Sequence, residues 1–298
     1  MYNDKLQIAG RQIKSAVNLS IAVNIILAVL KLATGFFSAS IALIADGVHS
    51  FSDMTTDLAV LAGVHFGSKQ PDEEHHYGHG RAETFSAGFI ALFLVFVGSA
   101  MIYFAAVDVA RGNITAFHPS VLVVAALSII VKELLYRVTK KIAVKSHSPA
   151  LYANAWHHRS DAASSVAVVI GYTLLKFGFA YGDQIAGVAV GLMIILVAVR
   201  IIGDCLHELT EAAVDRDTIA RIEHIINNNG SIRRWHKLRT RVLGREIFLD
   251  LHILVDPDLN VAAAHEIAES LETAMHSQIP RPVNITVHIE PDTPALRK

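Results

Sequence analysis

The sequence predicts an α-helical membrane protein: six transmembrane helices, then a cytoplasmic α+β domain of order αββαβ. Three observations carry this. The 298 residues are 52% hydrophobic and only 18% charged, whereas a soluble domain is roughly 25% charged. The charge is also unevenly spread. Residues 206–298 hold 11 of the 26 Lys+Arg and 14 of the 27 Asp+Glu, so the first 205 are far more apolar than the average. Finally, that first part contains repeated apolar runs close to the ~20 residues needed to cross a bilayer.

The spans follow in order. Val17–Phe37 and Ser86–Val107 are plainly long and apolar enough. Val121–Leu135 is shorter but extends through its neighbours. Ala180–Ile202 is apolar apart from Asp183 and Arg200 near its ends. Ser40–Phe66 and Ala150–Phe177 have the right length but contain ionisable residues. Met1–Ser15 has no apolar run after its basic residues, unlike a cleaved signal peptide. Lys5, Arg11 and Lys14 precede the first span, Lys69 and Arg81 follow the second, and Arg137, Lys140, Lys141 and Lys145 follow the fourth. This positive-inside bias places both termini in the cytoplasm. Lys31 and Lys176 lie near outer helix ends and are expected to snorkel. The expected domains are therefore 1–205, transmembrane, and 206–298, cytoplasmic.

In the tail, Asp215 can cap a helix running to Asn229-Gly230. His236–Val242 and Glu246–Val255 alternate as strands about Gly244, with Ile247, Leu249, Leu251 and Ile253 on one face. Asn260 caps a helix from Val261 to about His276. Val283, Ile285, Val287 and Ile289 then form one face of a last strand. A single cysteine, Cys205, excludes an intrachain disulfide. A net charge of −1 gives no pull toward nucleic acid.

Polar residues inside the spans carry the chemistry. Span two contains Asp46, His49, Asp53 and Asp57; span five contains His157, His158 and Asp161. Charges at membrane depth are costly, so such groups face a cavity or a partner. His-x-x-x-Asp occurs twice, as His49/Asp53 and His157/Asp161, and residues four apart share a helix face. Two facing helices would offer two nitrogens and two oxygens, a tetrahedral set suited to a zinc-like divalent cation. Asp46 and Asp57 can be packing partners or lining residues. His158, three before Asp161, competes with His157 on spacing. The loop Asp72-Glu-Glu-His75-His-Tyr-Gly-His79 offers a second set at the cytoplasmic mouth, Asp72, His75 and His79.

Six spans, the paired His-x-x-x-Asp motifs, the Asp-Glu-Glu-His-His-Tyr-Gly-His-Gly-Arg loop and the αββαβ tail together resemble the cation diffusion facilitator family, most closely its bacterial zinc and iron exporter branch. The resemblance implies a homodimer in the bacterial inner membrane. It would exchange cytoplasmic Zn²⁺ for protons by alternating access, with a ferredoxin-like, metallochaperone-like tail. It implies His49, Asp53, His157 and Asp161 as the transport site and Asp72, His75 and His79 as a loop site. It also implies a tail site from His236, His252, His265 and His288, with Glu290 where better-known members have Asp and Asp250 as an alternative ligand. Arg81 and Glu211 match a charge pair of the family. Fe²⁺, Co²⁺, Ni²⁺, Cd²⁺ and Mn²⁺ are alternative cargoes. Two other classes compete. An intramembrane metallohydrolase needs His-Glu-x-x-His, but His265-Glu266 and His207-Glu208 are completed by Glu269 and Glu211. A metal-sensing membrane scaffold would bind without transport.

Overall fold

A computed structural model describes residues 2–37, 50, 53–112, 119–179 and 181–297. Asp46 and His49 lie outside the described residues. The chain divides into two compact units, residues 10–206 and residues 1–9 with 207–298.

The first unit is helical. Its elements are α1 (Tyr2–Phe37, whose first residues count with the second unit), α2 (Met54–Gly67), α3 (Arg81–Arg111), α4 (Pro119–Ser146), α5 (Pro149–Lys176) and α6 (Gly182–Leu209). Lys5–Ala33, Arg81–Arg111 and Gln184–Leu209 are long and apolar enough to span a membrane by length and composition. Helices α2, α4 and α5, together with α1, carry the buried polar groups described below. α4 packs along α5, α5 also meets α3 and α2, and α2 packs on α3.

Burial follows the 3.6-residue period. On α1 the buried stripe reads Ile13, Val17, Ser20, Asn24, Leu27 and Lys31; on α4 it reads Val124, Ser128, Lys132, Leu135, Thr139 and Ala143. The apolar core joins Val60 and Val64 of α2 to Ile90 and Leu94 of α3, Leu151 of α5 and Ile194 of α6. Ile26, Phe89, Phe96 and Leu196 point outward and stay exposed, as lipid-facing side chains must. Gly98 of α3 and Gly191 of α6 meet so closely that a Cβ on either would lie 2.8 Å from the other's carbonyl oxygen. Small residues at such a crossing let helix backbones pack directly in a membrane. The structure corrects one expectation. Lys31 is only 4% exposed, because its Nζ donates to Ser50 Oγ at 3.0 Å rather than snorkelling.

The second unit contains α7 (Arg216–Asn227), β1 (Arg234–Leu243), β2 (Glu246–Val255), α8 (Val261–Gln278) and β3 (Val283–Pro291). Both helices are capped as the sequence predicts: Thr218 N donates to Asp215 Oδ1 and Ala263 N to Asn260 Oδ1, each at 2.9 Å. The sheet order is β1-β2-β3. β1 and β2 form an antiparallel hairpin through Gly244, whose φ of +57° suits glycine. β2 and β3 are parallel, joined by the α8 crossover. Ile247, Leu249, Leu251 and Ile253 are at most 2% exposed and form one core with Ile222 and Ile226 of α7 and Leu271 and Met275 of α8. The helices therefore cover this face of β2 and leave His252 on the other. Within the same unit, Lys5 Nζ donates to the carbonyls of His276 and Ile279 at 2.8 and 3.0 Å, capping the end of α8.

Candidate metal centre

The membrane site is assembled from four helices. Asp53 stands immediately before α2, with Thr56 Oγ1 donating to its carbonyl at 2.8 Å. His157 and Asp161 lie one turn apart on α5. Ligand atoms of Asp53, His157 and Asp161 all fall within 4.8 Å of one another. His157 Nε2 is 3.6 Å from Asp53 Oδ1 and 3.8 Å from Asp161 Oδ2. These gaps are too long for hydrogen bonds. Both ring nitrogens of His157 are buried without a hydrogen-bond partner among the described residues. A fully buried imidazole left unbonded beside two carboxylates is costly, and it fits a centre built for a cation.

Sequence reasoning missed Lys132. It lies on the buried stripe of α4, and its Nζ donates to Asp53 Oδ2 and Asp161 Oδ2, each at 2.8 Å, and to Asn24 Oδ1 at 2.9 Å. The signal was available: a lysine inside an apolar run demands a partner.

Asp57, one turn beyond Asp53, belongs to an adjacent network. It accepts from Ser20 Oγ at 2.8 Å, Asn24 Nδ2 at 3.1 Å and Asn154 Nδ2 at 2.8 Å. His158 joins this network through Ser20 Oγ at 3.1 Å. Spacing left His157 and His158 open; the structure brings His157 to Asp53 and Asp161 and turns His158 to Ser20. Asn24 touches both Asp57 and Lys132, so the two polar groups are continuous.

In the loop between α2 and α3, Asp72, His75 and His79 also form a group within 4.8 Å. His75 Nδ1 and His79 Nε2 are each 3.4 Å from the Asp72 carboxylate. The His75 backbone N–H donates to Asp72 Oδ1 at 2.7 Å and holds this carboxyl below its usual range, keeping it ionised and able to ligate.

In the tail, His236, His252 and His288 occupy one row across the three strands. A bulge follows His236, where β1 gains one residue relative to β2 and Lys237 adopts φ of +52°. Glu290 reaches back from β3: His236 Nε2 and His252 Nδ1 lie 2.9 and 2.8 Å from its two oxygens. His252 in particular holds the Glu290 carboxyl below its usual range. His236, His252 and Glu290 form the third group within 4.8 Å. His288, 61% exposed, stands 3.6 Å from Glu290 Oε1 at its edge. Two further expected ligands stay outside this group. His265 is on α8, across the sheet, paired with Glu269 at 3.3 Å. Asp250 is exposed on β2 opposite Arg239. Of the expected charge pair, Arg81 opens α3, and Glu211 accepts from Arg241 Nη1 at 3.1 Å.

A helical bundle holding two carboxylates and an imidazole at its polar centre has the make-up of a membrane carrier for cations. The chain matches the cation efflux transmembrane domain over residues 17–210 and the cation efflux protein cytoplasmic domain over residues 214–292. It is 37% identical over 267 residues to an uncharacterised transporter of Methanocaldococcus jannaschii, covering 90% of this chain and 94% of that protein. It is 30% identical over 280 residues to the manganese efflux system protein MneP of Bacillus subtilis, covering 92% and 94%. It is 29% identical over 257 residues to the magnetosome protein MamB of a Magnetospira species, covering 86% and 88%. The chain belongs to the cation diffusion facilitator family; it is a membrane transporter that exports divalent metal cations, and not an enzyme.

Proposed function

We propose that the exported ion is Zn²⁺, exchanged for protons by alternating access at Asp53, His157 and Asp161, with His49 as the fourth ligand. The buried grouping of Asp53, His157 and Asp161 is the observation that carries this reading. Two carboxylates balance a divalent charge where low polarity makes an unbalanced one costly. An imidazole nitrogen in the set favours Zn²⁺ over Mn²⁺, which prefers oxygen-rich octahedral sites. Metal binding requires neutral imidazole and ionised carboxylate, so it expels protons, and protons arriving from the far side expel the metal.

The surrounding assignments form one scheme. Asp72, His75 and His79 receive the ion at the cytoplasmic mouth. His236, His252 and Glu290, with His288 at the edge, sense it in the tail. Metal held there draws the tails of a homodimer together and favours transport by differential binding. The basic loops support cytoplasmic termini, and the bacterial relatives support a place in a bacterial inner membrane.

Manganese is the competing cargo, because a relative 30% identical over most of its length is named a manganese efflux protein. Calorimetry in detergent separates the two, using protein carrying His75→Ala, His79→Ala, His236→Ala and His252→Ala so that neither the loop nor the tail contributes. Zn²⁺ is expected to bind more tightly than Mn²⁺ and to release protons into a weakly buffered solution. Binding of Mn²⁺ in preference to Zn²⁺ would overturn the zinc assignment.

A further inference from the structure

We infer that Lys132 is a tethered competitor for the transported cation: its ammonium occupies Asp53 and Asp161 between metal ions and must withdraw when the metal binds. This rests on the transport-site reading above.

The geometry is specific. An ammonium has three N–H donors, and Lys132 Nζ meets three acceptors at hydrogen-bond distance, Asn24 Oδ1, Asp53 Oδ2 and Asp161 Oδ2. Two of the three belong to the carboxylates of the metal-donor group. The side chain is 2% exposed, so its ammonium is shielded from bulk solvent. Lys132 thus ties α4 to α1, to the start of α2 and to α5 through one atom.

Charge makes the two occupants exclusive. Two carboxylates balance one divalent ion. Adding the ammonium at 2.8 Å from the same carboxylates would leave an excess positive charge at membrane depth, where charge is poorly screened. Metal entry therefore displaces the ammonium. Lysine has a flexible four-carbon stem, and one of its three partners already lies outside the metal-donor group. That partner, Asn24, donates to Asp57 Oδ2 at 3.1 Å, so the Asn24 and Asp57 side offers the withdrawn ammonium a place among acceptors. The ammonium moves as a charged group, with no change in its protonation.

The consequence concerns release. A carrier must bind its ion well enough to load and weakly enough to let go. A cation on a tether, returning to the carboxylates on the far side, helps expel the metal and limits its affinity. Removing it should tighten binding and slow turnover together. A purely structural lysine, lost, would loosen the site and weaken binding.

The test uses the full chain with the His75→Ala, His79→Ala, His236→Ala and His252→Ala background, which silences the loop and tail groups. Zn²⁺ affinity is measured in detergent, and KM and kcat for Zn²⁺ in proteoliposomes, for Lys132→Gln, Lys132→Met and Asp161→Asn. Both lysine variants are expected to bind Zn²⁺ about tenfold or more tightly, with KM and kcat falling together. Affinity unchanged or weakened in a folded lysine variant overturns the inference, while loss of binding in Asp161→Asn would still uphold the transport site. Undiminished binding in Asp161→Asn overturns both. Should neither lysine variant fold, a zinc-loaded structure of the unaltered chain decides. Lys132 Nζ clear of Asp161 Oδ2 supports the inference; the pair intact beside bound metal refutes it.

Discussion

Replacing Asp57 with alanine is expected to weaken the helical unit without abolishing metal binding. Asp57 is fully buried and accepts from three donors, Ser20 and Asn24 on α1 and Asn154 on α5. Alanine leaves all three facing an apolar side chain. Interhelical hydrogen bonds in membranes average about 0.6 kcal/mol and reach about 1.7. Three of them give a loss of about 2 kcal/mol, rising to about 5 if each is near the upper value. On the scale of a domain this size, 2 kcal/mol lowers the midpoint of thermal unfolding by about 4–8 °C. Asp57→Asn keeps one carbonyl acceptor and should lose less. Thermal unfolding of the detergent-solubilised protein, with Zn²⁺ affinity measured in the His75→Ala, His79→Ala, His236→Ala and His252→Ala background, gives both quantities. Unchanged stability together with lost Zn²⁺ binding would instead make Asp57 a metal ligand.

Other outcomes follow from the same contacts. Burial raises the Glu246 carboxyl to about 7, so folding disfavours its ionised form. This group's favourable contribution is full below its unfolded value near 4.5 and is lost as pH rises toward 7. Glu246→Gln should therefore slow hydrogen exchange across β1 and β2 at pH 8, by about 1–2 kcal/mol after allowing for partial exposure, and change little at pH 4. Gly98→Ala places a Cβ 2.8 Å from Gly191 O; separating α3 and α6 should cost about 1–3 kcal/mol, read as a lower unfolding temperature. Asp215→Ala removes the cap on Thr218 N and should cost about 1 kcal/mol, read as faster exchange in the first turn of α7. Glu290→Ala removes the carboxylate shared by His236 and His252 and should lower tail Zn²⁺ affinity by tenfold or more, measured by calorimetry with Asp161→Asn, His75→Ala and His79→Ala in place.

The tail was legible because its signals are local. Alternation fixed β2 at Glu246–Val255, and the two caps lie where Asp215 and Asn260 predict. In the membrane unit, His-x-x-x-Asp on α5 correctly implied that His157 and Asp161 share a face. Two things could not be read. His157 and His158 both satisfy helical spacing to Asp161, so only the helix's rotation against α1 and α2 separates them. Lys132 is far in sequence from Asn24, Asp53 and Asp161, and no periodicity links them; only the cost of a buried ammonium could have prompted the search. In the tail, His265 looked equivalent to the other histidines because sequence alone does not show that α8 covers the sheet face opposite His252.

Proton-coupled Zn²⁺ transport is proposed to run through Asp53, His157 and Asp161. Zn²⁺ flux into proteoliposomes under an imposed pH gradient, for the unaltered chain and for Asp53→Asn with Asp161→Asn, tests it most directly. Gradient-driven Zn²⁺ flux is expected, abolished in the double variant while it remains folded. Flux that persists in the double variant, or that ignores the gradient, would contradict it.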